Sequence, residues 1–237
     1  MTPPLLDRLP EFCSILLSGP PGVGKFEFLM GALTKYLADG LPVVFVCIDI
    51  GPGELQAYLR RSGFEPSEVL GRDLSVIDGF SAAVSEEAGE EREGIRVVSS
   101  LSNLEGLGMA ITERAADHGR PVRILFYTIS TLFLHNSARS LSKFFQIVSA
   151  RVKTQLGTIL YASQEGVTEE RQENLLRALV DGVIDMRFNG SFQREVMFHH
   201  LRGHRIVPEW IPLPEEGHGA TQVTSNLRNP EREGGNT

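Results

Sequence analysis

The chain has 237 residues, 41% of them hydrophobic, and a formal net charge of -7. That is enough apolar material for one large core, and the acidic balance argues against a broadly basic nucleic-acid footprint. No apolar run approaches the roughly 20 residues that a membrane span requires, and the opening Met1-Thr2-Pro3-Pro4-Leu5 lacks the basic and apolar regions of a secretion signal, so a cytoplasmic protein is expected.

In chain order, the apolar run Ser14-Ile15-Leu16-Leu17 reads as a strand. It is followed by a Gly-rich turn and a helix from Lys25 to Leu37, with Phe28, Leu29, Leu33 and Leu37 at helical spacing. Val43 to Ile48 reads as a second buried strand ending at Asp49, Glu54 to Arg61 as a short helix, and Leu74 to Ile77 as a strand. Val84 to Gly94, with Glu86, Glu87, Glu90, Glu91 and Glu93, is expected to be a solvated acidic loop. A helix follows over Asn103 to Ala116 with Ser102 as its cap, then a strand at Arg123 to Phe126, a helix at Leu141 to Thr154 and a strand at Thr158 to Ala162. A capping pattern at Thr168 opens a helix running through Val180, which Gly182 is expected to close. Val183 to Phe188 and Arg194 to Phe198, joined around Asn189-Gly190, predict a β-hairpin, with Val207 to Leu213 as a further strand. Residues 1–213 are expected to form one domain and residues 214–237, polar and without an apolar pattern, a disordered tail. Alternating strands and helices of this kind imply a mainly parallel sheet covered on both faces.

The turn after the first strand carries the chemistry. Gly19-Pro20-Pro21-Gly22-Val23-Gly24-Lys25-Phe26 is a phosphate-binding loop complete up to its last position, where Phe26 stands in place of the Ser or Thr that normally ligands magnesium. Its glycines let backbone N–H groups face phosphate oxygens, the helix start adds partial positive charge, and Lys25 reaches the β and γ phosphates. The phosphate chain of a nucleotide is the ligand this implies, with magnesium left open because an aromatic ring cannot coordinate it. The alternative is a loop that only joins strand to helix.

The phrase Arg123-Ile124-Leu125-Phe126-Tyr127-Thr128-Ile129-Ser130-Thr131-Leu132 resembles the Walker B strand of KaiC-like ATPases, a branch of the RecA superfamily. Leu179 to Ile184, the hairpin and Arg202-Gly203 resemble that branch's C-terminal part, and the resemblance covers about Leu5 to Leu213. It implies an α/β RecA-like P-loop fold, with a mainly parallel central sheet flanked by helices and a C-terminal β-hairpin. It also implies a nucleotide bound at the loop, often between neighbouring subunits of a ring. The partner would then be a further copy of the chain, or a related ATPase or signalling protein.

The chain departs from that family where catalysis is done. Tyr127 stands where the Walker B Asp should hold magnesium, and a neutral phenol does not replace a carboxylate. The water-activating pair of Glu residues matches Asp49 and Ile50, so Asp49 is the candidate base; a strand-end turn or cap is its other reading. The family's Lys-x-Arg that reaches across a subunit interface appears as His200-Leu201-Arg202, leaving Arg202 as the candidate trans contact. Ser163 or Gln164 sits at the candidate γ-phosphate sensor position.

Other clusters are weaker. His199, His200 and His204 lack a completing coordination set, the first two being expected on opposite faces of a strand. Arg194, Arg202 and Arg205, with three histidines and Trp210 nearby, are a candidate nucleic-acid patch that the acidic chain and the lack of an interleaved aromatic platform disfavour. Cys13 and Cys47, with no metal spacing, read as buried thiols. Three functions remain in view: a nucleotide-binding regulatory or assembly subunit with little or no hydrolysis, an active ring ATPase using Asp49 and a trans-acting Arg202, and a nucleotide-free scaffold.

Overall fold

Continuous apolar strands demand burial on both faces of a sheet, and a computed structural model of the chain shows it. The structure describes residues 6, 9–84, 92–167 and 169–213. The tail, four of the acidic-loop glutamates (Glu86, Glu87, Glu90 and Glu91) and the expected cap Thr168 lie outside these residues.

The first half runs β1 (Cys13–Gly19), α1 (Lys25–Ala38), β2 (Val43–Cys47), α2 (Pro52–Arg61), α3 (Pro66–Val69), β3 (Leu74–Asp78), α4 (Phe80–Val84), β4 (Ile95–Val97) and α5 (Leu104–Asp117). The second runs β5 (Val122–Tyr127), α6 (Leu132–His135), α7 (Ala138–Arg151), β6 (Gly157–Gln164), α8 (Glu170–Leu179), β7 (Gly182–Phe188), β8 (Arg194–Leu201) and β9 (Ile211–Pro212). Among the described residues the strands form one nine-stranded sheet in the order β4-β3-β2-β5-β6-β1-β7-β8-β9. Pairings from β4 across to β7 are parallel, and β7–β8 and β8–β9 are antiparallel.

Alternation divides each central strand between two cores. Ile15 and Leu17 of β1 pack with Phe28, Leu29 and Leu33 of α1 and with Leu55 and Leu59 of α2. Leu16, between them, packs on the other face with Leu107 of α5 and with Phe144 and Phe145 of α7. Fully burying such side chains stabilises by about 1.5–3 kcal/mol each, so this sandwich fixes where β1 ends and the loop begins.

The N-terminal end of β1 is pinned by a buried carboxylate. Asp181 Oδ2 accepts from the Ser14 amide at 3.0 Å and from its hydroxyl at 2.9 Å, while Lys153 Nζ lies 2.8 Å from Oδ1. Burial opposes the charge, but the hydrogen bonds from Lys153 and Ser14 outweigh it and hold this carboxyl below the usual carboxylate range.

Several local expectations change. The cap of α5 is Asn103, whose side chain accepts from the Gly106 amide at 2.9 Å, not Ser102. Gly182 does not close α8, which stops at Leu179; it begins β7, where a Cβ would meet the His200 carbonyl and Ile15 Cδ1 at 2.9 Å, so only Gly lets the strands approach. The hairpin turn is a five-residue loop organised by Asn189, whose Oδ1 accepts from the amides of Ser191 and Gln193. The last strand shrinks to Ile211–Pro212. Sequence pattern missed the short elements α3, α4, β4 and α6, which run three to five residues and carry no resolvable period.

Candidate functional site

At the C-terminal end of β1 the chain turns through Gly22 at φ 76° and Gly24 at φ 99°, both left-handed conformations that favour glycine, and Gly24 becomes the N-cap of α1. The first amides of α1 have no intrahelical acceptors and face outward with the helix's positive end. Lys25 is buried, and its Nζ donates to the carbonyls of Gly19 and Pro20, each at 2.7 Å. Burial lowers its pKa to about 8, with nearby Glu165 pulling the other way. A cavity of about 220 Å³ opens here, lined by Gly22, Gly24, Lys25, Phe26, Glu27, Tyr127 and Gln164. It is smaller than the roughly 300–1,000 Å³ of sites that enclose a whole small molecule. Gly19, Pro20, Pro21 and Val23 complete the loop without lining the cavity.

The far wall is aromatic. The Phe26 ring packs edge-on against Tyr127 at 5.4 Å between centroids and against Tyr58 of α2 at 6.0 Å. Burial first, then the charges of Asp49, Glu27 and Glu54, push the Tyr127 hydroxyl up to about 12, so it stays a neutral phenol. Behind it, Asp49 accepts hydrogen bonds from Thr128 through one carboxylate oxygen and from Thr131 through the other. Asp49 therefore braces the loop after β5 and does not line the cavity.

Magnesium, implied by the fold family, requires a near-octahedral set of oxygens, and the residues present do not fit it. The two positions that would hold it are a ring pair in mutual contact, and Asp49 is already engaged. Glu27 is the one carboxylate on the wall. Among the described residues no three His, Cys, Asp or Glu side chains converge as a metal set.

Of the two sensor candidates, Gln164 lines the cavity and Ser163 does not. Successive residues of a strand face opposite sides, and Ser163 is buried away from the opening. Ser130 accepts from the Gln164 amide at 2.7 Å and fixes its position.

Arg202 lies at the other end of the sheet. Its amide donates to the Asp181 carbonyl, and its guanidinium lies 3.4 Å from Asp181 Oδ1 with the side chain 64% exposed. The eight residues of β8 separate it from the loop end of the hairpin by roughly 25 Å at strand rise, so it cannot reach its own loop. His199 and His200 are not on opposite faces as alternation alone implies. Val183 pairs with His200 and Ile184 with Phe198, so His199 is an extra, bulged residue, and the two rings come within 5.7 Å. Burial and the neighbouring His199 hold His200 below its usual pKa. Both cysteines are buried, and burial raises both thiols, Cys13 to about 11.

Sequence reasoning missed Tyr58, and it saw Arg194 only as one of three scattered arginines. Tyr58 carries no motif. Arg194 becomes a loop neighbour through strand register alone: β7 lies beside β1, and β8 folds back along β7 starting at Arg194.

The chain belongs to the family of unknown function DUF7504, whose model matches residues 13–186. A UPF0273 protein of Thermotoga maritima is 26% identical over 202 residues, spanning 82% of this chain and 81% of the relative. One from Aeropyrum pernix is 28% identical over 205 residues, spanning 84% and 80%. Among solved structures, the KaiC-like protein PH0186 of Pyrococcus horikoshii OT3 superposes with a TM-score of 0.64 over 86% of each chain, at 17% identity. The chain thus has the KaiC-like fold: a mostly parallel sheet flanked by helices, with an antiparallel C-terminal hairpin. No helix among the described residues is long and apolar enough to cross a membrane.

Proposed function

From membership of that family and from this geometry, we propose that the Gly19–Lys25 loop binds the phosphate chain of ATP or ADP without magnesium. The chain then acts as a cytoplasmic regulatory or assembly subunit with little or no hydrolysis. It works in a homo-oligomer or beside a related ATPase or signalling protein, as a single domain with a C-terminal tail.

The observation that carries this reading is one juxtaposition. A loop with left-handed Gly22 and Gly24 and an inward Lys25 stands against a Phe26–Tyr127 contact at 5.4 Å. Backbone amides and a lysine supply much of the grip on phosphates, whereas phosphoryl transfer depends on metal charge and on a positioned water. The first set is present; the second is replaced by packing, and Asp49 is held by two threonine hydroxyls.

The test is titration calorimetry of ATP and ADP, in magnesium and in EDTA, with Lys25→Ala as control. Micromolar binding that needs Lys25 but not the metal is the expected result. The variant should bind about 100-fold more weakly, the loss of charge-assisted contacts worth about 1.5–3 kcal/mol each. Metal-dependent phosphate release that disappears in Asp49→Asn would instead favour an active ATPase. An absence of binding under every condition would leave a scaffold.

A further inference from the structure

The C-terminal hairpin brings the loop a cation that the motif does not contain. β7 pairs with β1 as far as Ser18–Asp185 and continues three residues to Phe188, whose partner on β8 is Arg194. The Arg194 side chain consequently lies against the loop. A Cβ placed on Gly24 would stand 3.2 Å from its Cδ and Nη1 and 3.3 Å from its Cζ. Its main chain is held on both sides, by Phe188 of β7 and by the Leu213 amide, which donates to the Arg194 carbonyl at 2.8 Å. Its ion pair among the described residues is a long one, 3.8 Å to Glu27, with the two side chains 38% and 40% exposed. Contacts of that kind hold an arginine weakly, and Glu27 is itself on the cavity wall.

We infer that Arg194 is the second cation of the phosphate site and binds the terminal phosphate oxygens of a metal-free nucleoside polyphosphate. This rests on the nucleotide-binding reading above. A polyphosphate without a divalent ion carries more charge than Lys25 offsets, and the Glu27 carboxylate on the wall adds repulsion. A guanidinium stays charged at any working pH and matches phosphate with paired N–H donors, and here its main chain is already fixed beside the loop. A side chain at Gly24, already disfavoured by its φ of 99°, would in addition press on the tip of the arginine.

The experiment is calorimetry of ATP and ADP in EDTA on the full chain, comparing the unmodified protein with Arg194→Gln and Arg194→Lys, with thermal unfolding to check that each variant is folded. Arg194→Gln should weaken ATP about 10- to 100-fold and ADP by less, while Arg194→Lys recovers part of the loss. Equal ATP affinity in the unmodified protein and Arg194→Gln overturns the inference and leaves the nucleotide reading standing. Equal losses for ATP and ADP overturn the assignment to the terminal phosphate. An unmodified protein that binds neither nucleotide overturns both.

Discussion

On one side of Lys25 the chain presents backbone amides, a lysine and the Gln164 amide; on the other, starting with the next residue, it presents the rings of Phe26, Tyr127 and Tyr58. The two sides share one helix start, yet they are held by different physics. The phosphate side is made of main chain whose shape depends on two glycines. The ring side is made of side chains and can exchange metal chemistry for packing without moving the backbone. In the function proposed above, binding and turnover are therefore separable.

The largest effect is expected from returning a carboxylate to the ring side. Tyr127→Asp removes a half-buried ring that packs on Phe26, and it places a new charge beside Asp49, Glu27 and Glu54. Losing a packed ring costs about 3–5 kcal/mol at a fully buried site; with partial exposure and added repulsion, about 3 kcal/mol is expected. In a chain of this size that lowers Tm by roughly 10 °C. An unchanged Tm together with new magnesium-dependent ATP binding would show that the rings do not exclude the metal.

A smaller effect separates the sides by pH. Burial lowers Lys25 to about 8 in the empty protein, and phosphate beside it must raise that value again. Below pH 8 the lysine is charged in both states and affinity is level. Above it, binding must take up a proton, so affinity falls by up to tenfold per pH unit, about 1.4 kcal/mol. The stability of the empty fold moves the other way. A lysine with a lowered folded pKa costs stability below pH 8, and that cost is relieved as pH rises from 8 towards 10.5. Cys13, raised to about 11, titrates nearby, so the quantity to measure is the difference between the unmodified protein and Lys25→Met across pH 7–10. A flat difference would mean that Lys25 is not the buried charge described.

How much of this was legible in the sequence follows the same division. The Gly19–Lys25 loop, its flanking strand and helix, and Phe26 at the loop's last position could be read directly, because main-chain geometry leaves a signature of glycines at fixed spacing; the reading of Tyr127 as a metal position came from the family resemblance. That the two replacements touch was not readable; they are 101 positions apart, and their contact arises because α1 packs on the sheet near β5. The choice of Gln164 over Ser163 required the phase of β6 relative to the loop. Arg194 required a full register count through β1, β7 and β8. The histidine pair was misjudged because alternation holds only in a regular strand, and a bulge at His199 broke it.

The smallest effect tests whether the ring side is a unit at all. If Phe26 and Tyr127 stabilise the fold through their mutual edge-on contact, a double-mutant cycle between Phe26→Leu and Tyr127→Leu should show a coupling of about 1 kcal/mol, the range for aromatic pairs beyond their buried area. Leucine keeps most of the apolar volume, so the singles should each cost less than Tyr127→Asp and remain measurable by denaturant unfolding. Nucleotide affinity in EDTA should stay unchanged in all three variants, because the amides, Lys25 and Arg194 are untouched. Coupling near zero would make the two substitutions independent, and the closed metal position would then be two separate accidents of side-chain size. Coupling with lost affinity would mean that the rings hold the loop's shape, and that the two sides of Lys25 are one structure.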